Sequence, residues 1–343
     1  MTEPLLSIQD LRTYFHTSAG VARSVDGVSF DVGAGEMLGI VGESGCGKSV
    51  TALSILRLIQ PPGRIEPGSH IIFEGKDLAT VSEEDIRGVR GNRISMIFQE
   101  PMSALNPVFN VGDQVAEVAR IHEGLSKKAA FARAVETLAL TGIPAPAERA
   151  KEYPHQLSGG MRQRVLIAMA LMMKPALIIA DEPTTALDVT IQAQILDLLR
   201  DLQSRFNTSV LMITHDLGVI AETTSRVIVM YAGEVVEESP VEGLFAAAHH
   251  PYTEGLMHAM PQIGHERDRL NVIPGTVPAP TDWPHGCRFR DRCPYSWELC
   301  GRDHPPLYQI GVGHVSRCHL AIEPERRNHP HPPLVVQQGV AVA

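Results

Sequence analysis

The sequence predicts an α/β protein with a mixed-sheet core, an inserted helical subdomain and a small C-terminal extension. Three observations support this fold class. A glycine-rich loop at 42–49 lies between an apolar run and a helical pattern, and a second apolar run, 177–180, ends in two acids. Four of the five cysteines follow residue 286. Short apolar runs separated by helical patterns are typical of a buried, mostly parallel sheet.

The glycine-rich loop reads Gly-Glu-Ser-Gly-Cys-Gly-Lys-Ser, with the apolar run 37–41 before it and the apolar-periodic stretch 50–59 after it. In this setting backbone N–H groups surround a phosphate, and the helix N-terminus adds a positive dipole end. Lys48 would reach the β- and γ-phosphates, and the Ser49 hydroxyl would ligate Mg²⁺. The alternative is a glycine-rich turn with an exposed lysine. The predicted nucleotide-binding residues here are Gly42, Glu43, Ser44, Gly45, Cys46, Gly47, Lys48, Ser49 and Val50.

A second helix start has the same chemistry. Residues 157–164 read Leu-Ser-Gly-Gly-Met-Arg-Gln-Arg and precede the apolar run 165–173. Ser158 and the two glycines would cap this helix and leave a hydroxyl, free N–H donors and a positive dipole end for an anion. The chain is therefore predicted to contain two separate phosphate-binding helix ends.

The two acids after the apolar run 177–180 are Asp181 and Glu182. A parallel sheet presents catalytic groups at such strand ends. Asp181 would hold Mg²⁺ through water, and Glu182 would orient the attacking water. A further apolar run, 210–214, ends in His215, which we expect to contact the γ-phosphate. The alternatives are a solvated helix cap for the acids and a core histidine for His215.

Together these motifs resemble the ATPase subunits of ABC transporters over about residues 5–240. The resemblance implies a P-loop NTPase (ABC ATPase) core, with ATP and Mg²⁺ as cofactors and two nucleotide domains that close head-to-tail. It implies that Leu157 to Gln163 are the signature and that Gln99 joins the lobes and ligates Mg²⁺. It also implies that 186–188 cross to the partner subunit. The residues to which it assigns catalysis are Glu182, His215 and Gln99.

The resemblance also assigns nucleotide contacts outside the phosphate loop. An aromatic side chain should stack on adenine, and Phe15 has a better offset from the preceding strand than the adjacent Tyr14. Either ring can instead be an ordinary core residue. The assigned residues are Phe15, Ser158, Gly159, Gly160, Gln163 and Asp188.

Cys287, Cys293, Cys300 and Cys318 are separated by five, six and seventeen residues. Disulfides are disfavoured in a cytosolic chain, and a structural zinc site usually contains a cysteine pair two to four residues apart. The wider spacing favours an iron–sulfur cluster over zinc or unligated thiols. The segment 286–320 resembles the C-terminal extension of ATPases from peptide-importing ABC systems, members of which carry a 4Fe-4S cluster. No nucleotide motif lies in it, so we expect a structural or partner-docking role, whereas Cys46 is expected to be a reactive bystander.

The segments 250–253 and 273–278 are similar to those of the peptide and nickel importer branch of the family. This resemblance implies an ATP-hydrolysing subunit that powers uptake of oligopeptides or dipeptides, and nickel stays open as cargo. It implies a paralogous ATPase subunit, two membrane permease subunits that dock on 100–107, and an extracytoplasmic peptide-binding protein. A soluble ABC ATPase acting on DNA or ribosomes is a further alternative, but its usual long coiled-coil insertions or basic faces are missing from the sequence.

Composition indicates where such a subunit works. Thirty basic and thirty-nine acidic residues give a net charge of −9, which argues against a nucleic-acid partner. The first seven residues do not read as a signal peptide, and the longest apolar region, 165–180, is interrupted by Lys174-Pro175. We therefore expect a peripheral protein on the cytoplasmic face of the inner membrane, attached through permease subunits.

The order of these signals predicts the domain organisation. Within it, 127–140 is a clear helical pattern, and 227–231 with 234–238 read as a hairpin. The predicted regions are an ATP-binding core with an N-terminal antiparallel β portion at 1–98 and 174–240, a helical signature subdomain at 99–173, a metal-bound extension at 241–325, and a disordered tail at 326–343.

Overall fold

The computed structural model describes residues 3–99, 104–185, 187–260 and 272–337. Packing of the Cα trace divides the chain into two compact units, which are described one after the other. The first unit comprises Met1–Leu5, Val32–Met37 and Thr80–Ile213, and the second comprises Leu6–Asp31, Leu38–Ala79 and Thr214–Ala343.

Both units contain strands and helices. The strands are β1 Leu6–Thr17, β2 Gly20–Val32, β3 Met37–Val41, β4 Gly63–Ile65, β5 His70–Phe73, β6 Lys76–Asp77, β7 Ile94–Ile97, β8 Leu177–Asp181, β9 Ser209–Thr214, β10 Arg226–Tyr231, β11 Glu234–Pro240, β12 Tyr308–Gly311 and β13 His314–Ser316. The helices are α1 Lys48–Ile55, α2 Glu83–Val89, α3 Val111–Glu123, α4 Lys127–Leu140, α5 Pro146–Arg149, α6 Gly159–Leu171, α7 Val189–Phe206, α8 Leu217–Thr223, α9 Val241–Ala246, α10 Pro251–Ala259, α11 Glu298–Arg302 and α12 Leu334–Gln337. Short 3-10 helices occupy Pro154–Gln156, His319–Ala321 and Pro324–Asn328.

The sheet of the first unit is parallel. Its strands β7, β8 and β9 are neighbours in that order, with Ile97 opposite Ala180 and Asp181 opposite Ile213. All residues of β8 and β9 are buried, which fits the uninterrupted apolar runs from which both strands were predicted. The strands therefore end at one edge of the sheet, where Asp181 lies.

The helical subdomain belongs to the first unit. Helix α4 has the bounds that its apolar pattern predicts, and the Ser126 hydroxyl caps it by accepting from the Ala129 N–H. Helices α3, α4 and α6 share an apolar core. Its members include Val111, Val115, Ala119, Ala134, Leu138, Val165, Leu166 and Met172. This core fixes the start of α6, where the predicted signature lies.

The second unit begins with the predicted antiparallel β portion. Strand β1 pairs with β4 and β5, and β5 pairs with β6. The Thr13 and Ser54 hydroxyls lie 2.7 Å apart and join β1 to α1, the helix after the glycine-rich loop. The apolar stretch 50–59 is helical only as far as Ile55, because Arg57 adopts a left-handed backbone with φ 51°.

The rest of the second unit is a mixed sheet with the order β12-β13-β11-β10-β3. Strands β3 and β10 are parallel, and β10 and β11 form the predicted hairpin through Ala232-Gly233. The C-terminal extension then adds β13 to the edge of β11, with Glu237 opposite Ser316. This strand pairing, which no pattern in the sequence predicted, makes the extension a continuation of the core sheet.

The structure differs from the expected disordered tail over residues 326–337. Arg327 donates to Glu254 at 2.9 Å, and the Val335 N–H donates to the Asp291 carbonyl at 3.1 Å. His331 Nε2 lies 2.7 Å from the Ser296 carbonyl. These contacts attach the tail to the extension.

None of the helices in the described parts of the chain is long and apolar enough to span a bilayer.

Candidate functional site

The glycine-rich loop follows β3 and ends at the start of α1. Gly42 and Gly47 have φ values of 155° and 108°. A Cβ on Gly42 would lie 2.3 Å from the Met230 carbonyl oxygen, and one on Gly47 would lie 2.5 Å from the Ser24 carbonyl oxygen. Both contacts are with backbone, so any side chain would displace the loop, and the glycines are required by space as well as by φ.

The loop curves around the ammonium group of Lys48. Lys48 Nζ donates to the Gly42 carbonyl at 2.7 Å and to the Glu43 carbonyl at 3.1 Å, and the residue is 6% exposed. Ser44 and Gly45, at the tip of the loop, are exposed. The arrangement has what a phosphate needs, namely a positive charge inside a curve of backbone that leads into a helix N-terminus.

Cys46 contributes to this loop as a packing residue. It is fully buried, and its carbonyl accepts from the Gly233 N–H at 3.0 Å. Burial raises the pKa of the thiol and outweighs the nearby Lys48 charge, which lowers it. The expectation of a reactive thiol at Cys46 is therefore wrong, since reactivity needs an accessible thiolate.

The predicted carboxylates lie at the end of β8 in the first unit. Asp181 is 4% exposed, and Glu182 follows it with a left-handed backbone at φ 48°. Glu182 Oε2 accepts from Gln99 Nε2 at 2.9 Å and from the Thr185 hydroxyl at 2.8 Å. A left-handed glutamate costs backbone energy, and such strain concentrates at functional sites. The fold thus brings Gln99 and Glu182 together across 83 residues of sequence.

The signature begins helix α6 as predicted. Ser158 caps the helix, with its hydroxyl accepting from the Met161 N–H at 3.3 Å, and Ser158 and Gly159 are exposed. A Cβ on Gly160 would lie 2.7 Å from Ile191 Cγ2, so this glycine permits the close approach of α7. Asp188 is exposed and caps α7 through the Ile191 N–H at 3.0 Å. The structure therefore places the signature and Asp188 on neighbouring helix ends.

Gln163 does not share this exposure. It is 1% exposed, and its Nε2 is buried without a hydrogen-bond partner among the described residues. The structure therefore gives this side chain no exposed surface for a nucleotide. The predicted nucleotide contact of Gln163 stays a prediction.

The two candidate adenine-stacking aromatics lie next to each other on β1 in the second unit. Adjacent strand residues point to opposite faces. The Tyr14 hydroxyl donates to Asp26 at 2.6 Å, and burial together with this carboxylate raises the pKa of Tyr14 to about 12. Phe15 instead packs on Gly63, where a Cβ would lie 2.6 Å from the ring. The stacking role of Phe15 stays a prediction.

The predicted site residues divide between the units. The phosphate loop, Phe15 and the exposed His215 belong to the second unit. Gln99, Ser158, Asp181, Glu182 and Asp188 belong to the first. Ala186 of the crossing loop and residues 100–103 of the expected docking segment lie outside the described residues.

The four cysteines of the extension are free thiols in the second unit. Cys293, Cys300 and Cys318 are 6–7% exposed, and backbone N–H groups donate to Cys293 Sγ at 3.4 Å and to Cys318 Sγ at 3.5 Å. Burial raises the pKa of all four thiols, that of Cys318 to about 12, and neighbouring cysteines raise that of Cys293 further. Among the described residues no three or more His, Cys, Asp or Glu side chains are arranged to hold a metal ion. The structure therefore does not support the predicted metal-bound extension.

Two residues of the extension contact the phosphate loop and were not predicted from the sequence. Arg292 donates to both carboxylate oxygens of Glu43, at 2.6 and 2.9 Å. The Glu43 N–H donates to the Tyr252 hydroxyl at 2.7 Å. Tyr252 lies in a segment that the family resemblance singled out, but no pattern indicates a pairing across 249 residues.

Two protein-family models match parts of this chain. A family model described as "ABC transporter" matches residues 25–185. A second, described as "Oligopeptide/dipeptide transporter, C-terminal region", matches residues 236–300.

Curated relatives match nearly the whole chain. The oligopeptide transport ATP-binding protein AppD of Bacillus subtilis is 52% identical over 92% of this chain and 96% of its own length. The dipeptide transport ATP-binding protein DppD of Escherichia coli is 46% identical over 93% of this chain and 97% of its own length. Among solved structures, the dimeric post-hydrolysis state of the ATP-binding cassette MJ0796 bound to ADP and Pi is 26% identical, with a TM-score of 0.62. That match covers 69% of this chain and 98% of the cassette.

Proposed function

Since the chain belongs to the ATP-binding subunits of oligopeptide and dipeptide ABC transporters, we propose that it hydrolyses ATP to power the import of short peptides through a membrane complex. The observation that carries this function is Glu182 at the end of β8, held in a left-handed conformation and bonded to Gln99. A regulatory module without turnover would not need such a carboxylate.

Each motif residue has a step in this reaction. Lys48 binds the β- and γ-phosphates, and the loop N–H groups hold the β-phosphate. The Ser49 hydroxyl and the Asp181 carboxylate are oxygen donors of the kind that Mg²⁺ prefers, and Mg²⁺ would neutralise phosphate charge during transfer. Glu182 accepts a proton from the attacking water, while Gln99 fixes the carboxylate that does so. His215 contacts the γ-phosphate.

Two nucleotide domains close head-to-tail in this account. Ser158 and Gly159 are exposed at the N-terminus of α6, so the N–H donors and the hydroxyl are accessible to the nucleotide of a partner subunit. The dimeric state of the solved cassette supports such a pairing. The partner is a paralogous ATPase, and Asp188 contacts it from the start of α7.

The membrane partners are two permease subunits, with an extracytoplasmic peptide-binding protein acting through them. Val108 and Phe109 are 70% and 55% exposed, beside the expected docking segment 100–107. Exposed apolar residues in a loop suit the attachment of a membrane subunit at the cytoplasmic face. Peptide is favoured over nickel as cargo because the C-terminal match and the curated relatives are peptide transport proteins.

We also propose a 4Fe-4S cluster on Cys287, Cys293, Cys300 and Cys318. Its support is that the other three cysteines raise the pKa of Cys293, and that N–H groups donate to two of the sulfurs, which is a common environment of cluster ligands. A cubane spreads its ligands more widely than a single metal ion does, which is why the wide spacing of the four cysteines favours a cluster. Anaerobically purified protein should then be brown and contain about four iron and four sulfide per chain. Zinc without iron in that preparation would contradict the cluster.

The function is tested by expressing the chain with the products of its neighbouring genes. We expect it to co-purify with membrane subunits and to hydrolyse MgATP faster when a peptide-loaded binding protein is added. The matched arm replaces peptide with Ni²⁺. Stimulation by Ni²⁺ alone would identify nickel as the cargo, and co-purification with nucleic acid or ribosomes would contradict the transport function.

A further inference from the structure

Glu43, the second residue of the phosphate loop, has every polar group engaged inside the second unit. Its carboxylate accepts two hydrogen bonds from Arg292, and its N–H donates to the Tyr252 hydroxyl at 2.7 Å. Its carbonyl accepts from Lys48 Nζ at 3.1 Å. Two of the three residues that make these contacts, Arg292 and Tyr252, belong to the C-terminal extension. The third is Lys48, which we propose to bind phosphate.

Arg292 is positioned by more than Glu43. Its side chain is 2% exposed, and its Nε donates to the Pro274 carbonyl at 2.8 Å. The guanidinium lies 5.6 Å from the Tyr231 ring centroid and 5.9 Å from that of Phe289. A bidentate arginine held in this way fixes both the distance and the orientation of a carboxylate. Removing Glu43 from this pair would leave the buried guanidinium without its carboxylate partner.

Tyr252 is equally constrained. Its ring is fully buried, 4.7 Å from the Tyr231 centroid and 5.5 Å from that of Phe289. Tyr231 ends β10, while Tyr252 and Phe289 belong to the extension. The hydroxyl that accepts from Glu43 is thus attached to a packed aromatic cluster, which leaves it little freedom to follow a displaced loop.

We propose that Arg292 and Tyr252 are positioning residues of the phosphate loop, and that the C-terminal extension thereby sets the affinity of the loop for ATP. The inference rests on the proposed nucleotide site. By fixing the main chain and the side chain of Glu43, the extension holds the loop in its binding shape before nucleotide arrives, and less free energy is lost in ordering it. Arg292 directly precedes Cys293 in the chain. A change in the conformation of the cysteine segment would therefore displace Arg292, and with it the Glu43 carboxylate of the loop.

The test compares two substitutions with a matched control in the full chain. Arg292→Gln removes the bidentate pair, and Tyr252→Phe removes only the hydroxyl. Arg317→Gln is the control, because Arg317 also precedes a cysteine and is largely buried, but it donates to the carbonyls of Val235 and Pro305 and pairs with Glu234 instead of Glu43. Calorimetric titration with MgADP measures affinity, and steady-state hydrolysis of MgATP by the assembled complex separates KM from kcat.

We expect Arg292→Gln to weaken MgADP binding and raise the KM for MgATP about tenfold, with kcat within about twofold of wild type. Tyr252→Phe should weaken MgADP binding and raise the KM for MgATP by about threefold each, because it removes one hydrogen bond. Arg317→Gln should change neither. Equal affinities in all four proteins, or an equal loss in Arg292→Gln and Arg317→Gln, would overturn the proposal.

Two further outcomes keep the test decisive. If Arg292→Gln does not fold, Tyr252→Phe alone decides, because it keeps the ring and removes one oxygen. Wild-type protein that does not bind MgADP would refute the nucleotide site itself. Normal wild-type binding with unchanged Tyr252→Phe affinity would refute only the role of the extension.

Discussion

The two units hold their predicted catalytic groups in different ways. In the first unit, Glu182 is supported from the strand end that carries it, by Thr185 three residues away, and by Gln99. In the second unit, the phosphate loop is supported by Arg292 and Tyr252, more than 200 residues further along the chain. Glu182 is thus held by one near and one distant residue of the first unit, whereas the phosphate loop is held by the C-terminal extension, to which we attribute its nucleotide affinity.

The largest expected effect is on the chemical step in the first unit. Glu182→Gln keeps the shape and one acceptor oxygen, enough for the bonds from Gln99 and Thr185, but the amide cannot accept a proton from water. We expect turnover of MgATP by the assembled complex to fall at least about a hundredfold, with nucleotide affinity retained. Glu117→Gln, an exposed position on α3, is the control. Near-normal hydrolysis by the Glu182 variant would remove it from this role.

The second largest expected effect is on the affinity of the phosphate loop, in the second unit, for nucleotide. Lys48→Ala removes the ammonium group that the loop encloses through the Gly42 and Glu43 carbonyls. We expect binding of MgADP to weaken about thirtyfold, the usual consequence of losing a buried charged partner. The exposed Lys128→Ala serves as the control. A retained affinity would show that the loop does not bind phosphate through Lys48, and the contrast between the two units would fail.

A smaller effect is expected on the stability of the contact between α6, which begins at the signature, and α7. Gly160→Ala would place a Cβ 2.7 Å from Ile191 Cγ2, whereas a Cβ on the adjacent Gly159 would lie 3.7 Å from Leu187 Cδ2. We expect Gly160→Ala to lower the free energy of unfolding by about 1–3 kcal/mol, and Gly159→Ala to lower it less. Thermal or urea unfolding measures both. Equal stability of the two variants would mean that α6 and α7 do not approach so closely.

The smallest effect concerns the extension, and it depends on the proposed cluster. Cys300→Ser removes one of four thiols, and we expect residues 280–320 to become sensitive to limited proteolysis because ligand binding contributes folding energy locally. The kcat for MgATP should change little, but the KM should rise if the loop loses Arg292. An undisturbed proteolysis pattern in metal-loaded protein would argue against ligation by Cys300.

Local patterns predicted much of the fold. The helix 127–140 and the hairpin 226–240 follow from local apolar patterns, and the buried strands β8 and β9 follow from short uninterrupted apolar runs. The phosphate loop and the capped signature helix follow from glycine and serine spacing. These features depend on neighbours in the sequence, which a single chain displays directly.

What the sequence did not predict depends on distant contacts. Three features were not predicted: the pairing of β13 with β11, the contact of Arg292 with Glu43, and the burial of Gln163. Each depends on segments that are far apart in the sequence and share no visible pattern. Cys46 was expected to be a reactive bystander in the phosphate loop, yet packing within the second unit buries it completely. Burial is a property of the folded sheet and helices, so loop chemistry alone misjudged this thiol.

The central claim, an ATP-hydrolysing subunit that powers peptide import, is tested most directly by uptake of a labelled short peptide into proteoliposomes. The vesicles contain this chain with its partner ATPase and permease subunits, together with the binding protein. We expect uptake only with MgATP on the side of the ATPase subunits, and we expect it to be lost when this chain carries Glu182→Gln. Peptide uptake at the wild-type rate by the Glu182→Gln complex, or transport of Ni²⁺ in place of peptide, would contradict the account.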